Sequence, residues 1–180
     1  MVYVLLGTGF EETEAIAPID LLRRANVPVL TVGLNGKNIT GGHGITVKTD
    51  ITVKEMDLTQ LDMIVLPGGL GGVSSILACK EALDAVTFAN ENGKLIGAIC
   101  AAPTILAKLG ITDGKKATCY PGCEVEMGSA QMITDVPCIR DGNIITGASA
   151  GCATAFGLML VEAIQGEAVK NTIAQQIVIR

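Results

Sequence analysis

Gly97-Ala98-Ile99-Cys100-Ala101-Ala102-Pro103 is the stretch on which the fold turns. Residues 94–99 before it read as a buried strand, and residues 103–109 after it as a helix stopped by Gly110. A cysteine at the joint of strand and helix is a nucleophile-elbow pattern. Such a turn is strained and crowds the positions two before and two after the nucleophile, where this chain has the small residues Ala98 and Ala102. A thiol at a helix N-terminus faces free N–H groups and the positive end of the dipole, so the pattern predicts a lowered pKa for Cys100. The competing reading is an inert cysteine in an alanine-rich core.

Outward from the elbow, strands and helices alternate. Residues 2–6 form a short apolar run, followed by Gly7-Thr8-Gly9 and a helical pattern from Glu11 through Arg24. Residues 27–34 are a second β-rich run. Residues 37–40 and 44–48 flank Gly41-Gly42-His43 as a hairpin expected near the sheet edge. Residues 62–66 are a buried strand ending at Pro67-Gly68-Gly69, and residues 77–92 are helical. Strands are expected again at 116–119 and 143–146, with a long helix over about 152–164. Continuous apolar strands separated by helices imply a mostly parallel sheet covered on both faces, an α/β three-layer sandwich.

The chain has 180 residues, 49% apolar and 17% charged, with 22 glycines and no tryptophan. Dividing by about 150 residues per domain predicts one domain over 1–180. A net charge of −5 without a basic block argues against nucleic acid as a partner. Residues 144–164 are apolar, but Ser149, Thr154 and Glu162 make them part of a buried fold rather than a membrane span. The start of the chain does not read as a secretion signal, and six scattered cysteines fit reduced thiols in a cytoplasmic setting. Cys119-x-x-x-Cys123 is at most half of a zinc site, since the sole histidine, His43, lies far upstream; no metal is expected.

Two further signals stand at the C-terminal ends of expected parallel strands, the edge at which open α/β sheets bind ligands. In Pro67-Gly68-Gly69, glycines let backbone N–H groups approach a reacting oxygen, and with the amide of Ala101 they would make an oxyanion cradle; a plain turn is the alternative. In Glu11-Glu12-Thr13-Glu14, acidic residues in a first helical turn are ordinary dipole partners. Pro18, however, removes the N–H that the carbonyl of Glu14 would accept, and a helix disturbed there is expected to point Glu14 inward.

Gly-x-Glu-Glu-x-Glu, Val-Leu-Pro-Gly-Gly and Ala-Ile-Cys-Ala-Ala-Pro, in that order across residues 2–166, resemble the ThiJ/PfpI superfamily, and within it the subfamily of the parkinsonism-associated deglycase, DJ-one. The resemblance implies a flavodoxin-like sheet between helices, usually in a homodimer. It assigns Cys100 as the reactive cysteine, Glu14 as its hydrogen-bonding glutamate, and Gly68, Gly69 and Ala101 as the amide cradle. Asp20 and Arg24 match residues near the family's subunit contact, so the first helix and the 37–48 hairpin are expected to form the dimer surface. One position departs from the family: Tyr120-Pro121 stands where a histidine and proline are usual. Tyrosine, with an ordinary pKa near ~10, is a poor general base, so Tyr120 is an auxiliary group at most and a Cys-His-Glu triad is not assumed. His43 would reach an active site only from a partner subunit.

The resemblance implies two functions. The first is a cofactor-independent glyoxalase or deglycase, in which Cys100 attacks the aldehyde of methylglyoxal, glyoxal or an early glycated adduct and Glu14 assists. The second is a redox-stress sensor or chaperone, in which Cys100 is oxidised to sulfinate and held by protonated Glu14. Amidotransfer and proteolysis need a histidine beside the cysteine, which this chain does not offer.

Overall fold

The computed structural model describes residues 1–179. Its elements are β1 (Val2–Leu6), α1 (Glu12–Arg24), β2 (Val29–Gly33), β3 (Asn38–Thr40), β4 (Thr46–Lys48), β5 (Ile51–Thr52), β6 (Met63–Leu66), α2 (Leu70–Leu77), α3 (Lys80–Glu91), β7 (Leu95–Ile99), α4 (Pro103–Lys108), β8 (Lys116–Ala117), β9 (Gln131–Met132), β10 (Cys138–Asp141), β11 (Ile144–Gly147), α5 (Ala153–Gln165) and α6 (Glu167–Gln176). Seven strands make one sheet in the order β10-β11-β7-β6-β1-β2-β5, parallel throughout except for the β10–β11 pair.

Successive strand residues feed opposite faces, as the pleat requires. Val2, Val4 and Leu6 pack with Ile19 and Leu22 of α1 and with Phe156 and Leu160 of α5, whereas Tyr3 and Leu5 pack with Ile76, Val86 and Ile105 on the other side. The flavodoxin-like three-layer expectation therefore holds. Gly97 is where the layers come closest: a Cβ there would meet Leu160 Cδ2 at 2.8 Å and Phe156 Cζ at 3.1 Å, so only glycine lets α5 lie on the strand that leads into the elbow.

Several elements differ from the sequence reading. The helix expected at 77–92 is α3, which starts only at Lys80, and it is preceded by a further helix, α2, that the sequence reading left out; the two are separated at Cys79, whose backbone is extended. The Gly71-Gly72 pair reads as loop on propensity, yet both lie in the first turn of α2. Cβ atoms there would meet Gly9 Cα at 2.9 Å and Phe10 Cα at 2.8 Å, so close packing on the β1–α1 loop forms the turn in spite of its glycines. The strand expected at 116–119 covers only β8 and pairs with β9 outside the main sheet, because β11 occupies the place beside β7. β10 and α6 were not anticipated; β10 closes the sheet edge by a tight hairpin through Gly142, which has positive φ. The β3–β4 hairpin is a separate two-stranded sheet, held by bonds from Gly9 N to Thr40 O (2.8 Å) and Gly42 N to Phe10 O (2.8 Å). Among the described residues, no helix is long and apolar enough to cross a membrane.

The strand order places β2 on one side of β1 and β6 on the other, so the connections diverge beside β1. A crevice at such a switch point, at the C-terminal ends of the strands, is where this architecture binds small molecules. β1, β6 and β7 lead there into Glu14, Gly68-Gly69 and Cys100.

Candidate active site

Cys100 follows the last residue of β7 and has φ 66°, a left-handed conformation that a side-chain-bearing residue adopts only under constraint. Its N–H donates to Gly147 O (2.9 Å) and its carbonyl accepts from Tyr120 N (2.8 Å), so the strained residue is pinned on both sides. This is the elbow expected from the sequence. Because of the turn, the half-buried thiol stands at the mouth of the crevice, in a cavity of about 270 Å³ lined by Glu11, Gly69, Leu70, Ala101, Tyr120 and Cys123.

Glu14 reaches the same place from α1 and is 0% exposed. Its inward aim comes from register, not from a disturbed helix. α1 runs unbroken through Pro18, and Glu14, Ala15, Pro18, Ile19, Leu21 and Leu22 make one buried stripe at helical spacing. Oε2 accepts the N–H of Gly68 at 2.9 Å, while Oε1 has no hydrogen-bond partner. The carboxyl lies against the Cys100 thiol, and each shifts the other's titration. A Cβ at Gly68 would sit 2.5 Å from Glu14 Oε2 and 2.8 Å from Cys100 Cβ, so glycine is what lets the acid and the thiol approach.

The electrostatics of the pair follow from burial. Loss of water raises the Glu14 pKa to about 7, and the nearby charge of Glu11 adds to this, against the opposing contacts from Cys100 and Gly68. The Cys100 thiol is also pushed up, to about 12, first by burial and then by the Glu14 carboxylate; the amides of Ala101 and Gly69 pull it back only in part. The lowered thiol pKa expected from a helix N-terminus is thus not found. α4 is six residues long and begins three residues beyond Cys100, whereas burial and the Glu14 carboxyl beside the sulfur both oppose ionisation. A site holding one negative charge resists a second. Passing the thiol proton to the Glu14 carboxylate creates thiolate without adding charge, whereas losing that proton to solvent adds one.

The residues expected to form the cradle meet at the sulfur, with one difference. Gly69, at φ 81°, and Ala101 direct their N–H groups to the sulfur, but the N–H of Gly68 is spent on Glu14. Gly68 is therefore a positioning residue for the acid. Tyr120 lines the cavity with half its surface exposed, and its side chain makes no hydrogen bond among the described residues. His43 does not enter the cavity. It is exposed and bound to Glu12, with Glu12 Oε1 accepting its backbone N–H (2.7 Å) and Oε2 lying 2.8 Å from Nδ1. Glu11, Glu12 and His43 are the one group of metal-ligand side chains that converge among the described residues, and both Glu12 oxygens are already engaged by His43. Cys119 and Cys123 gather no such group. Asp20 and Arg24 form an exposed pair (2.7 Å) one turn apart on α1.

Sequence reasoning did not single out three residues of the cavity. Glu11 caps α1 by accepting the N–H of Glu14 at 2.7 Å and raises the Glu14 pKa; the acidic run contained it without distinguishing it. Leu70, 81% exposed, stands at the cavity rim, where an apolar residue after Pro-Gly-Gly was the available signal. Cys123 was legible only as part of a cysteine pair.

The DJ-1/PfpI family profile matches residues 1–163. Protein dj-1beta of Drosophila melanogaster is 34% identical over 178 residues, covering 98% of this chain and 95% of that protein, and its crystal structure superposes with a TM-score of 0.95 at 33% identity, covering 99% and 97% of the two chains. A protein of Pyrococcus abyssi named as a deglycase is 31% identical over 146 residues, covering 81% of this chain and 87% of its own. A Toxoplasma gondii structure described as oxidized DJ-1 is 28% identical with a TM-score of 0.92, covering 98% and 97%. With nearly the whole chain matched in sequence and in fold, this protein belongs to the DJ-1/PfpI family.

Proposed function

We propose that this protein is a cofactor-independent glyoxalase or deglycase that acts on small α-oxoaldehydes such as methylglyoxal and glyoxal, or on their early adducts. The observation that carries the reading is Glu14: a carboxyl without exposure, with one oxygen unpartnered, lying against a thiol on a strained elbow. Glu14 Oε1 takes the thiol proton as Cys100 Sγ adds to the aldehyde carbon. The oxygen of the resulting hemithioacetal lies toward the amides of Gly69 and Ala101 and takes the proton from Glu14, which leaves the carboxylate free. The Glu14 carboxylate takes the hydrogen on that carbon and returns it to the neighbouring carbonyl carbon, while the hydroxyl proton passes to the neighbouring carbonyl oxygen, and a thioester results. Water then releases the hydroxy acid and restores the thiol. Hydrogen moves within the substrate, so methylglyoxal plus water balances as lactate. A pKa near about 7 suits a group that must both take and give a proton at neutral pH. The relative named as a deglycase supports the same chemistry.

Steady-state turnover of methylglyoxal by wild type and Cys100→Ser tests this reading. Turnover that is lost in Cys100→Ser is expected, and equal turnover overturns it. A second reading rests on the same orphaned oxygen. When protonated, Glu14 donates to a Cys100 sulfinate, formed by two successive two-electron oxidations by hydroperoxide, and the oxidized relative supports that sensing role. For assembly, we propose a homodimer through α1 and the β3–β4 hairpin, where Ile16 and Ile45 are exposed large apolar residues. Light scattering at micromolar concentration is expected to show a dimer; a monomer overturns that surface.

A further inference from the structure

We propose that Cys123 is a resolving thiol for Cys100, so that hydroperoxide drives this protein to a reversible Cys100–Cys123 disulfide before sulfinate forms. Both cysteines line the same 270 Å³ cavity, and no other cysteine does among the described residues. Their backbones are linked as well. Tyr120 N donates to Cys100 O (2.8 Å), and Cys123 N donates to Tyr120 O (2.9 Å), so Cys123 sits at the end of a closed turn whose first residue is fixed to the elbow.

The turn can also adjust. Tyr120, Pro121 and Gly122 are exposed, Gly122 has φ 98°, and a Cβ on it would meet nothing within 4 Å. The elbow has less freedom, its N–H being pinned to Gly147 on the neighbouring strand and its carbonyl to Tyr120. The movement that brings two sulfurs to bonding distance is therefore assigned to the 120–123 turn. Cys119 is the rival partner for Cys123. It is buried with Ala117 and Met127 in a cluster against which Cys123 also packs, but it does not line the cavity at which Cys100 stands.

The chemistry balances. Thiolate at Cys100, formed by proton transfer to Glu14, attacks the distal oxygen of a hydroperoxide; the O–O bond breaks, Cys100 becomes sulfenic acid and the alkoxide leaves as alcohol with the proton from Glu14. Cys123 then attacks the Cys100 sulfur, the S–O bond breaks and water departs with the Cys123 proton. Two thiols lose two electrons in all, and one hydroperoxide gains them. An external dithiol returns both sulfurs to the reduced state. Without Cys123, the sulfenic acid meets a second hydroperoxide and proceeds to sulfinate.

The test is peptide mapping by mass spectrometry under non-reducing conditions after one equivalent of hydrogen peroxide. The Cys100 peptide is expected cross-linked to the Cys123 peptide in wild type and freed by dithiothreitol. In Cys123→Ser, and independently in Cys123→Ala, Cys100 sulfinate is expected to accumulate several-fold faster, with thermal unfolding confirming that each variant is folded. Wild-type mapping needs no variant and is decisive by itself. A Cys119–Cys123 link, no link at all, or sulfinate formation at equal rates with and without Cys123 overturns the proposal. None of these readouts depends on dicarbonyl turnover, so the fate of the glyoxalase reading is separate.

Discussion

Glu12 and Glu14 are two buried carboxylates two residues apart on the same turn of α1, and they have opposite fates. Glu12 is 6% exposed and accepts three N–H groups: the His43 ring and amide and, at 3.4 Å, the amide of Ile45. Burial pushes its pKa up, but the bonds from His43 and the hairpin amides outweigh burial and bring it below the ordinary value. Glu14 is 0% exposed and accepts one N–H, from Gly68, so burial wins and its pKa rises to about 7. Glu14 lies deeper and has a single donor, whereas Glu12 lies nearer the surface beside the exposed His43 and has three, and the two differences together decide which is a fixed anion and which a proton carrier. Glu12 latches the β3–β4 hairpin to α1. Glu14 keeps an oxygen free for the thiol.

Substitutions that equalise the two carboxylates test the contrast. The largest effect is expected for Glu14→Gln, which still accepts from Gly68 but cannot exchange a proton: methylglyoxal turnover should fall by about 10²-fold or more, as far as in Glu14→Leu. The Cys100 sulfinate is expected to persist in Glu14→Gln and not in Glu14→Leu, since only Gln donates a hydrogen bond. Full turnover by Glu14→Gln would sink the acid–base role.

The same substitution should change stability in a pH-dependent way. The folded pKa of Glu14, about 7, is above its usual value of 4.5, so the native state binds the extra proton between these values and stability declines as pH rises through that window. The decline amounts to about 3 kcal/mol at most, at 1.36 kcal/mol per unit. Glu14→Gln should flatten that decline in chemical denaturation from pH 4.5 to pH 6.5, while Glu12→Gln should leave it in place below the ordinary histidine value of 6.5.

Glu12→Gln is expected to act on the hairpin and only weakly on chemistry. His43 has a raised pKa because of its bond to Glu12 and the charge of Glu12, so the pair stabilises fully below the ordinary histidine value of 6.5, and its contribution is lost as pH rises through the folded value. In Glu12→Gln the His43 titration, followed by proton NMR, should move down, with faster amide exchange over residues 38–48. An unchanged His43 midpoint would contradict the latch. The smallest effect is expected for Tyr120→Phe. The hydroxyl makes no hydrogen bond among the described residues, so turnover should change by less than about tenfold; a larger loss would make Tyr120 a participant.

Much of this contrast was legible in the sequence and part was not. The strand-to-helix joint at Cys100, the Pro-Gly-Gly turn and the acidic run are local patterns, and the fold assembles them at one sheet edge as their positions after strands implied. The division of labour between Glu12 and Glu14 was not legible, because it depends on which N–H groups arrive from the 40–45 loop and from Gly68, partners 31 and 54 residues away. The Cys100 titration was misread for the same reason: the helix end is local, whereas the burial of the thiol and the opposing carboxyl of α1 are products of the fold. α2 escaped notice because its first turn forms by glycine packing on another loop.

The most direct test of the central claim, that Glu14 is a proton carrier, is titration of its side-chain carboxyl by carbon-13 NMR in the reduced wild-type protein, with Glu12 as internal reference. Glu14 is expected to titrate near about 7, while Glu12 titrates below 4.5. A Glu14 midpoint at or below 4.5 would contradict the account, since an anion already fixed in that range holds no proton to give at neutral pH.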